Sequence, residues 1–470
     1  MFKFETQIQE LKYKVLKEVS RFAFEDLLLE NLTDIPKNIV PGRTPTMRCC
    51  VYKERAILSD RVKLAIGGDR NIDNIIEVID SACDECPVGG YEVTAACRGC
   101  LAHRCAEDCP KDAIHFDEHQ KAIIDKSKCI ECGRCSKVCP YSAITNYKRP
   151  CENSCKIKAI TMGEDKEALI DNEKCIACGA CISQCPFGAI MDKSYLLNVI
   201  DFIRKSEGNR KYRLHAIIAP SAAGQFPGVS MGILFSAIKK AGFYDVSEVA
   251  LGADMVAYKE AGELIEKGVL LSSCCPAFVK YVRSEFPKLA SSISENLSPA
   301  AELAKRIKET DPDSKVVFIG PCTAKKEEFS PYGSEYLYVD SVLTFEELKA
   351  LIDSRDIDMD SLEPDESFSE ASYYGRVFAR SGGLVEAVRQ GLKELDQDFD
   401  LKAVSCNGIE ECRNVLTRVM AGTLDVNFIE GMACVGGCVG GAGCITRSPA
   451  NRVFVDRFGK ESSKKTLKQP

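Results

Sequence analysis

The chain has 470 residues, 26 of them cysteine, and a net charge of −7. That length suits two or three domains, and an acidic balance without a basic tract argues against nucleic-acid binding. No apolar run approaches the ~18 residues of a membrane span, the opening Met-Phe-Lys-Phe-Glu-Thr-Gln has no charged-then-apolar leader layout, and a long chain this rich in thiols points to metal ligation in the cytoplasm rather than to a secreted disulfide scaffold.

Residues 1–80 read as an N-terminal helical segment. Ile8, Leu11, Val15, Val19 and Phe22 recur at helical spacing and Pro36 is expected to stop the pattern. Cys49 and Cys50, within Arg-Cys-Cys-Val-Tyr-Lys-Glu-Arg, read as buried or redox-inert thiols ahead of metal ligands. Residues 60–80 are expected to be helical.

Residues 81–193 hold an internal repeat. Cys105, Cys109, Cys129, Cys132, Cys135 and Cys139 return at Cys151, Cys155, Cys175, Cys178, Cys181 and Cys185, each 46 residues on. Ala113-Ile114 and Lys128-Cys129-Ile130 repeat at the same offset, as a duplicated module requires. Both copies contain C-x2-C-x2-C-x3-C-P, whose fourth cysteine serves the other cluster of a pair. The region resembles a two-cluster bacterial ferredoxin, doubled.

The ligands then sort by spacing. Cys109 joins Cys129, Cys132 and Cys135; Cys155 joins Cys175, Cys178 and Cys181; Cys139 joins Cys97, Cys100 and Cys105; Cys83 and Cys86 complete Cys151 and Cys185. Sixteen cysteines close four [4Fe–4S] sites. Exchanging the two C-x2-C pairs is equally compatible with the spacing. A structural zinc site of Cys83, Cys86, Cys97 and Cys100 is the rival grouping. His103 reads as a surface loop residue, and His115, His119 and His215 receive no role.

Asp192-Lys193-Ser194 marks the boundary to residues 194–470. A helix over 195–206 precedes a strand, Leu214–Ile218, that ends in Pro220-Ser221. Glu260 and Glu263 fall on a helix, where a solvated face is the plain reading. Three further apolar runs end in cysteine: Val269–Ser272 before Cys274-Cys275-Pro276, Val316–Gly320 before Pro321-Cys322-Thr-Ala-Lys325-Lys326-Glu327, and Val426–Ile429 before Cys434-Val-Gly-Gly-Cys438. Glycines around the last pair are expected to let the backbone approach an inorganic ligand. Ligands sit beyond the carboxyl ends of strands in α/β folds, so all four ends are expected at one cleft. Residues 355–370 read as a surface loop, Ser381-Gly382-Gly383 as a helix start, and the last ten residues as a frayed tail.

The three cysteine motifs together resemble the signature of [FeFe]-hydrogenases over about residues 210–445. The resemblance implies an α+β chain in which the tandem ferredoxin-like region precedes a two-lobed α/β catalytic domain, with the active-site cluster between the lobes. It implies reversible oxidation of H₂ and reduction of protons at a six-iron H-cluster. Cys275, Cys322, Cys434 and Cys438 would hold its [4Fe–4S] cube. Cys438 would bridge to a two-iron unit carrying CO, CN⁻ and an azadithiolate, built by dedicated maturation proteins. Lys325 and Ser221 would bond the cyanides, with Met432, Pro220 and Pro299 beside them. Protons would pass through Cys274, Glu263, Ser294 and Glu260, in that order.

Some residues depart from the best-studied members. The first motif reads Ser-Ser-Cys-Cys-Pro-Ala-Phe rather than Thr-Ser-Cys-Cys-Pro-Gly-Trp, Gly320 and Ala300 replace a methionine and a glutamine, and the third motif ends Gly-Gly-Ala-Gly. These changes look like the group B branch. A hydrogenase-like iron–sulfur assembly factor and a hydrogen sensor are the alternatives; paired Cys274-Cys275 and the lack of a visible signalling module favour the enzyme. With no Gly-rich dinucleotide fingerprint, the expected electron partner is a soluble carrier, ferredoxin. Cys406, Cys412 and Cys444 receive no role.

Overall fold

The structure, a computed structural model, describes residues 4–69, 73–87, 89–330, 338–365, 371–396 and 398–468. Two parallel sheets carry the carboxyl-terminal half. One has four strands, in the order Asp245–Glu248, Leu214–Ile218, Lys315–Ile319, Ser341–Leu343; the other has three, in the order Leu270–Leu271, Phe428–Met432, Ala403–Asn407. Their central strands are almost wholly apolar, as strands covered on both faces must be. Ala216, Ile217, Ile218, Val316, Val317, Ile319, Phe428 and Ile429 are all buried. Helix Val249–Lys267 packs its Ala253, Ala257, Ala261 and Leu264 in one core with Phe428 and with helix Gly383–Glu394, and also lies on helix Pro299–Thr310.

The amino-terminal segment belongs to the first lobe. In helix Gln7–Phe24, Val15, Leu16 and Val19 are buried in the core that the four-stranded sheet shares with helix Phe345–Ser354. Pro36 does not end this helix. The chain leaves it at Glu25, and Pro36 sits in the first turn of a separate helix, Ile35–Ile39, where its missing N–H costs nothing. The helix expected over 60–80 runs instead from Val51 to Ala65, and Ile76–Val78 is a strand.

In each repeat a short hairpin, Ile114–Phe116 with Ala122–Ile124 or Ile160–Met162 with Ala168–Ile170, lies beside the cysteines. Two further strand pairs enclose one another. Gly90–Val93 pairs antiparallel with Ile144–Tyr147, closing the first repeat, while Ile76–Val78 pairs with Ile190–Asp192, closing the second. The first repeat is thus nested inside the second.

The tail is not frayed over its described part. Leu467 is 2% exposed in the core of helix Gly383–Glu394, and the backbone N–H groups of Leu467 and Lys468 donate to Glu394. Within 355–370, Met359–Ser361 forms a short 3₁₀ turn and Asp365 pairs with Lys239 at 2.6 Å, while 366–370 lie outside the described residues. Among the described residues no helix is long and apolar enough to cross a membrane.

Candidate active site and cysteine relay

Strands Leu214–Ile218, Leu270–Leu271, Lys315–Ile319 and Phe428–Met432 all deliver their carboxyl ends to one cavity. Pro220, Cys274, Cys275, Cys322, Met432, Cys434 and Cys438 line it, with Pro299 and Lys325. Ser221 stands next to Pro220, fully buried. The motif glycines serve the fold more than a ligand. A Cβ on Gly437, at φ +83°, would fall 2.7 Å from Ser381 N, and one on Gly441 would fall 2.5 Å from Pro321 O. The loop is pressed against neighbouring backbone on one side, while Gly437 and Gly441 also line the cavity beside Cys434 and Cys438.

Burial raises the thiols of all four expected ligands. Cys322 and Cys438 are pushed up to about 12, and Cys275 and Cys434 also rise; neighbouring thiolates add to the effect at Cys322, Cys434 and Cys438. Thiols in such a place ionise only when a cation compensates them, as metal binding does. The donor set therefore fits an iron–sulfur cube. The surroundings fit an anionic two-iron unit, since Ser221 Oγ has no hydrogen-bond partner among the described residues and Lys325 lies on the wall. Lys325 Nζ donates to Glu328 at 2.5 Å.

Cys274 sits in the same cavity wall and leads to a line of polar groups. Its thiol is raised well above the ordinary value, by burial and next by Glu260. Glu260 is fully buried; its Oε1 accepts from Ser273 N–H at 3.4 Å and its Oε2 has no hydrogen-bond partner among the described residues. Burial pushes its carboxyl up to about 8. Ser294 Oγ–H donates to Glu263 Oε2 at 2.7 Å, and Lys267 pairs with Glu263 Oε1 at 2.7 Å. Burial alone would raise Glu263, but Lys267, Ser294 and the Glu295 N–H hold it below the usual carboxylate value. Ser294 is also close enough to Glu260 to lower it, so in space the groups lie in the order Cys274, Glu260, Ser294, Glu263. The sequence expectation had the two glutamates exchanged.

The repeats bring their cysteines together in four sets. Cys97, Cys100, Cys105 and Cys139 line one small cavity, and Cys109, Cys129, Cys132 and Cys135 another. Cys155, Cys175, Cys178 and Cys181 share a larger cleft with Cys434. Cys83, Cys86 and Cys151 surround Arg149, and Cys185 is near enough to Cys86 and Cys151 to help raise both thiols, which burial raises first. The exchanged pairing and the grouping of Cys83 and Cys86 with Cys97 and Cys100 are not what the fold assembles. Among the described residues, no three His, Cys, Asp or Glu side chains are arranged to hold a single ion.

The second repeat docks directly on the catalytic lobes. Thr323, next to Cys322, donates its hydroxyl to Ala177 O at 2.6 Å, and Gly179 packs against Ala442 so closely that a Cβ would fall 2.3 Å from it.

The remaining cysteines stand outside these sets. Cys49 is exposed rather than buried, and Cys50 caps helix Val51–Ala65 through its sulfur. Cys406, Cys412 and Cys444 are core residues, with Cys412 donating to Met432 O at 3.7 Å and Cys444 to Val439 O at 3.5 Å. His103 is half-buried and stacked on Phe116, not a free loop residue. Sequence reasoning missed Arg149 and Arg61, both buried beside thiols. Their only sequence signal is that Arg149 occupies the repeat position of His103.

The family described as iron only hydrogenase large subunit, C-terminal domain, matches residues 212–442, and two 4Fe-4S dicluster domain families match 121–186 and 96–143. Iron hydrogenase 1 of Clostridium pasteurianum is 28% identical over 405 residues, 74% of this chain and 69% of that protein. The periplasmic [Fe] hydrogenase large subunit of Nitratidesulfovibrio vulgaris is 30% identical over 388 residues, 71% of this chain and 87% of that one. A solved [FeFe]-hydrogenase, 20% identical, superposes with a TM-score of 0.48 over 58% of this chain and 91% of its own.

Proposed function

The chain belongs to the iron-only, or [FeFe], hydrogenases, and from that premise we propose how its own residues carry out the reaction. It is an oxidoreductase that oxidises H₂ and reduces protons, with electrons relayed by iron–sulfur clusters. When bound, the H-cluster supplies the iron site where H₂ is split or formed. Cys275, Cys322, Cys434 and Cys438 hold its cube. Lys325 and Ser221 donate to its anionic ligands; Ser221 Oγ, buried without a partner among the described residues, is the supporting observation for the second, because a buried donor left unmade is costly. Pro220, Pro299 and Met432 keep the cavity dry, which strengthens each of those bonds.

Cys274 ligates nothing in this scheme. Its thiol takes the proton from the reacting centre and gives it to Glu260, which is neutral at pH 7 and exchanges a proton near pH 8. Ser294 passes it to Glu263, and Lys267 marks the exit to solvent. The four cysteine sets of the repeats hold [4Fe–4S] clusters and end at Cys178, close enough to Cys434 for each thiol to be shifted by the other region. The electron partner is a soluble carrier of the ferredoxin kind, the two-iron unit comes from maturation proteins, and so many oxidisable thiols suit a reducing, low-oxygen cytoplasm.

The observation that carries this reading is the convergence of five cysteines from three strand ends in one apolar cavity, with a polar line leading out from the fifth. Infrared spectroscopy of the protein matured with its two-iron unit tests it. CO and CN⁻ stretches together with H₂ turnover are expected. Their absence in a chain that holds its cubane iron would leave an iron–sulfur scaffold.

A further inference from the structure

The offset of 46 residues makes Arg149 of the second repeat equivalent to His103 of the first. The two positions have different backbones. Pro150 excludes helical geometry for the residue before it, so Arg149 is extended, at φ −62° and ψ 133°, whereas His103 is left-handed at φ 42°. Arg149 is 1% exposed. Its Nη2 lies 3.3 Å from Cys83 Sγ, and the guanidinium is also close to Cys86 and Cys151. The ring of His103 stacks on Phe116 at 3.7 Å instead.

A second cation approaches the same set from the amino-terminal helix Val51–Ala65. Arg61, 2% exposed, donates from Nη2 to Gly188 O at 2.8 Å and stands near Cys185. Burial pulls it down to about 10, which leaves it charged at neutral pH. The Nε–H groups of both arginines lack acceptors among the described residues, and Glu152 Oε1 stands 4.0 Å from Arg149 Nη1. A buried cation without a matching anion is costly. The anion these two face is the set of four thiolates and whatever they hold.

We infer that Arg149, backed by Arg61, raises the reduction potential of the cluster at Cys83, Cys86, Cys151 and Cys185 above that of its counterpart at Cys97, Cys100, Cys105 and Cys139. The inference rests on the ligand reading given above. Reduction adds one electron and no proton to a [4Fe–4S] cluster, so it adds one negative charge. A fixed cation at hydrogen-bond distance from a ligating sulfur favours that product, and hydrogen bonds and local charge are what set such potentials. The guanidinium keeps its charge at all working pH values, so this bias does not titrate, unlike that of an imidazole. Arg149 and Arg61 thereby make this set the place where an electron from a neighbouring cluster rests on its way to or from the catalytic lobes.

An EPR-monitored redox titration of the full-length chain carrying its cubane clusters tests this. In Arg149→Gln one spectral component is expected to move to lower potential by at least 59 mV, a tenfold change for one electron, while the other components stay. Arg149→Lys is expected to restore most of the shift, and Arg61→Gln to move the same component less. Unmoved potentials in both Gln variants, with iron retained, would overturn the inference. If Arg149→Gln loses iron, Arg61→Gln decides alone: a shift in one component supports the inference and no shift overturns it. If Cys151→Ala leaves the iron content of the chain unchanged, the ligand reading fails instead.

Discussion

Lys326 Nζ lies 2.7 Å from Asp192 Oδ2, and the two side chains are 0% and 1% exposed. Lys326 follows the second cysteine motif of the catalytic lobes, whereas Asp192 ends the last strand of the repeat region. Lys12 reaches the other oxygen of Asp192 at 2.6 Å and also Glu346, and Lys326 also meets Glu347. One buried charge network therefore ties the amino-terminal helix, the cluster repeats and the wall of the active site together.

Removing one member of that network should be severe. Lys326→Met leaves buried Glu347 without Lys326 and Asp192 with Lys12 alone, at a cost of about 3–5 kcal/mol. Although burial pushes the Asp192 carboxyl up, Lys12 and Lys326 hold it well below the usual range. Its contribution is thus complete above the unfolded value of about 4 and is lost as pH falls toward the folded one. Urea unfolding at pH 7 and at pH 3 should show the variant's deficit shrinking in acid. An equal deficit at both pH values would mean that packing, not charge, is what Lys326 supplies.

Glu260 gives the opposite pH dependence. Its folded value of about 8 lies above the unfolded one of about 4.3. Between those values the unfolded chain releases a proton that the folded chain keeps, so stability declines as pH rises from about 4 to about 8. Glu260→Gln should flatten that decline. Unfolding midpoints at pH 5 and 8 for both proteins measure it, and parallel curves would place the titration elsewhere.

The proton line separates turnover from assembly. Cys274→Ala and Glu260→Gln should leave the CO and CN⁻ bands in place while H₂ evolution and uptake fall by about 10²–10⁴. Glu263→Gln should cost less than Glu260→Gln, because Glu263 is the outer member and the partly exposed Lys267 lies beside it. Near-normal turnover in Cys274→Ala with intact bands would send the protons by another way, past Ser298, whose buried hydroxyl also lacks a partner among the described residues.

Iron content tests the ligand sets as a whole. A fully matured chain should hold roughly 22 iron atoms, four cubanes plus a six-iron site, and no stoichiometric zinc. Expressed without maturation proteins it should hold roughly 20 and show no CO or CN⁻ bands. Cys275→Ala, which removes a ligand, should lose iron where Cys274→Ala does not. Stoichiometric zinc by elemental analysis would refute the assignment of Cys83 and Cys86.

The cysteine sets were legible because ligation to a cube leaves little freedom in spacing, and a 46-residue repeat shows which position matches which. The four strand ends were legible for a similar reason, since a strand buried on both faces is a continuous apolar run. The order of the relay was not legible. Glu260 and Glu263 are three residues apart and lie on one side of their helix; the Ser273 loop and Lys267 decide which is inside. Nor was the buried Arg149, since arginine is normally exposed and only the fold brings Cys83 to it. Ile76–Val78 is three residues long, too short for an alternating pattern, and its partner lies more than a hundred residues away.

That last pairing sets how the gene product can lengthen or shorten. Gly90 and Tyr147 are partners in the ladder that closes the first repeat, so the chain enters and leaves this unit at nearly the same point. Units with adjacent ends are the ones most readily inserted or removed. Residues 90–147 therefore form a closed insertion within a unit whose own halves remain paired through Ile76–Val78 and Ile190–Asp192. Two of the four cysteine sets lie inside the insertion and the contact of Thr323 with Ala177 lies outside it, so its removal would take away neither residue of that contact.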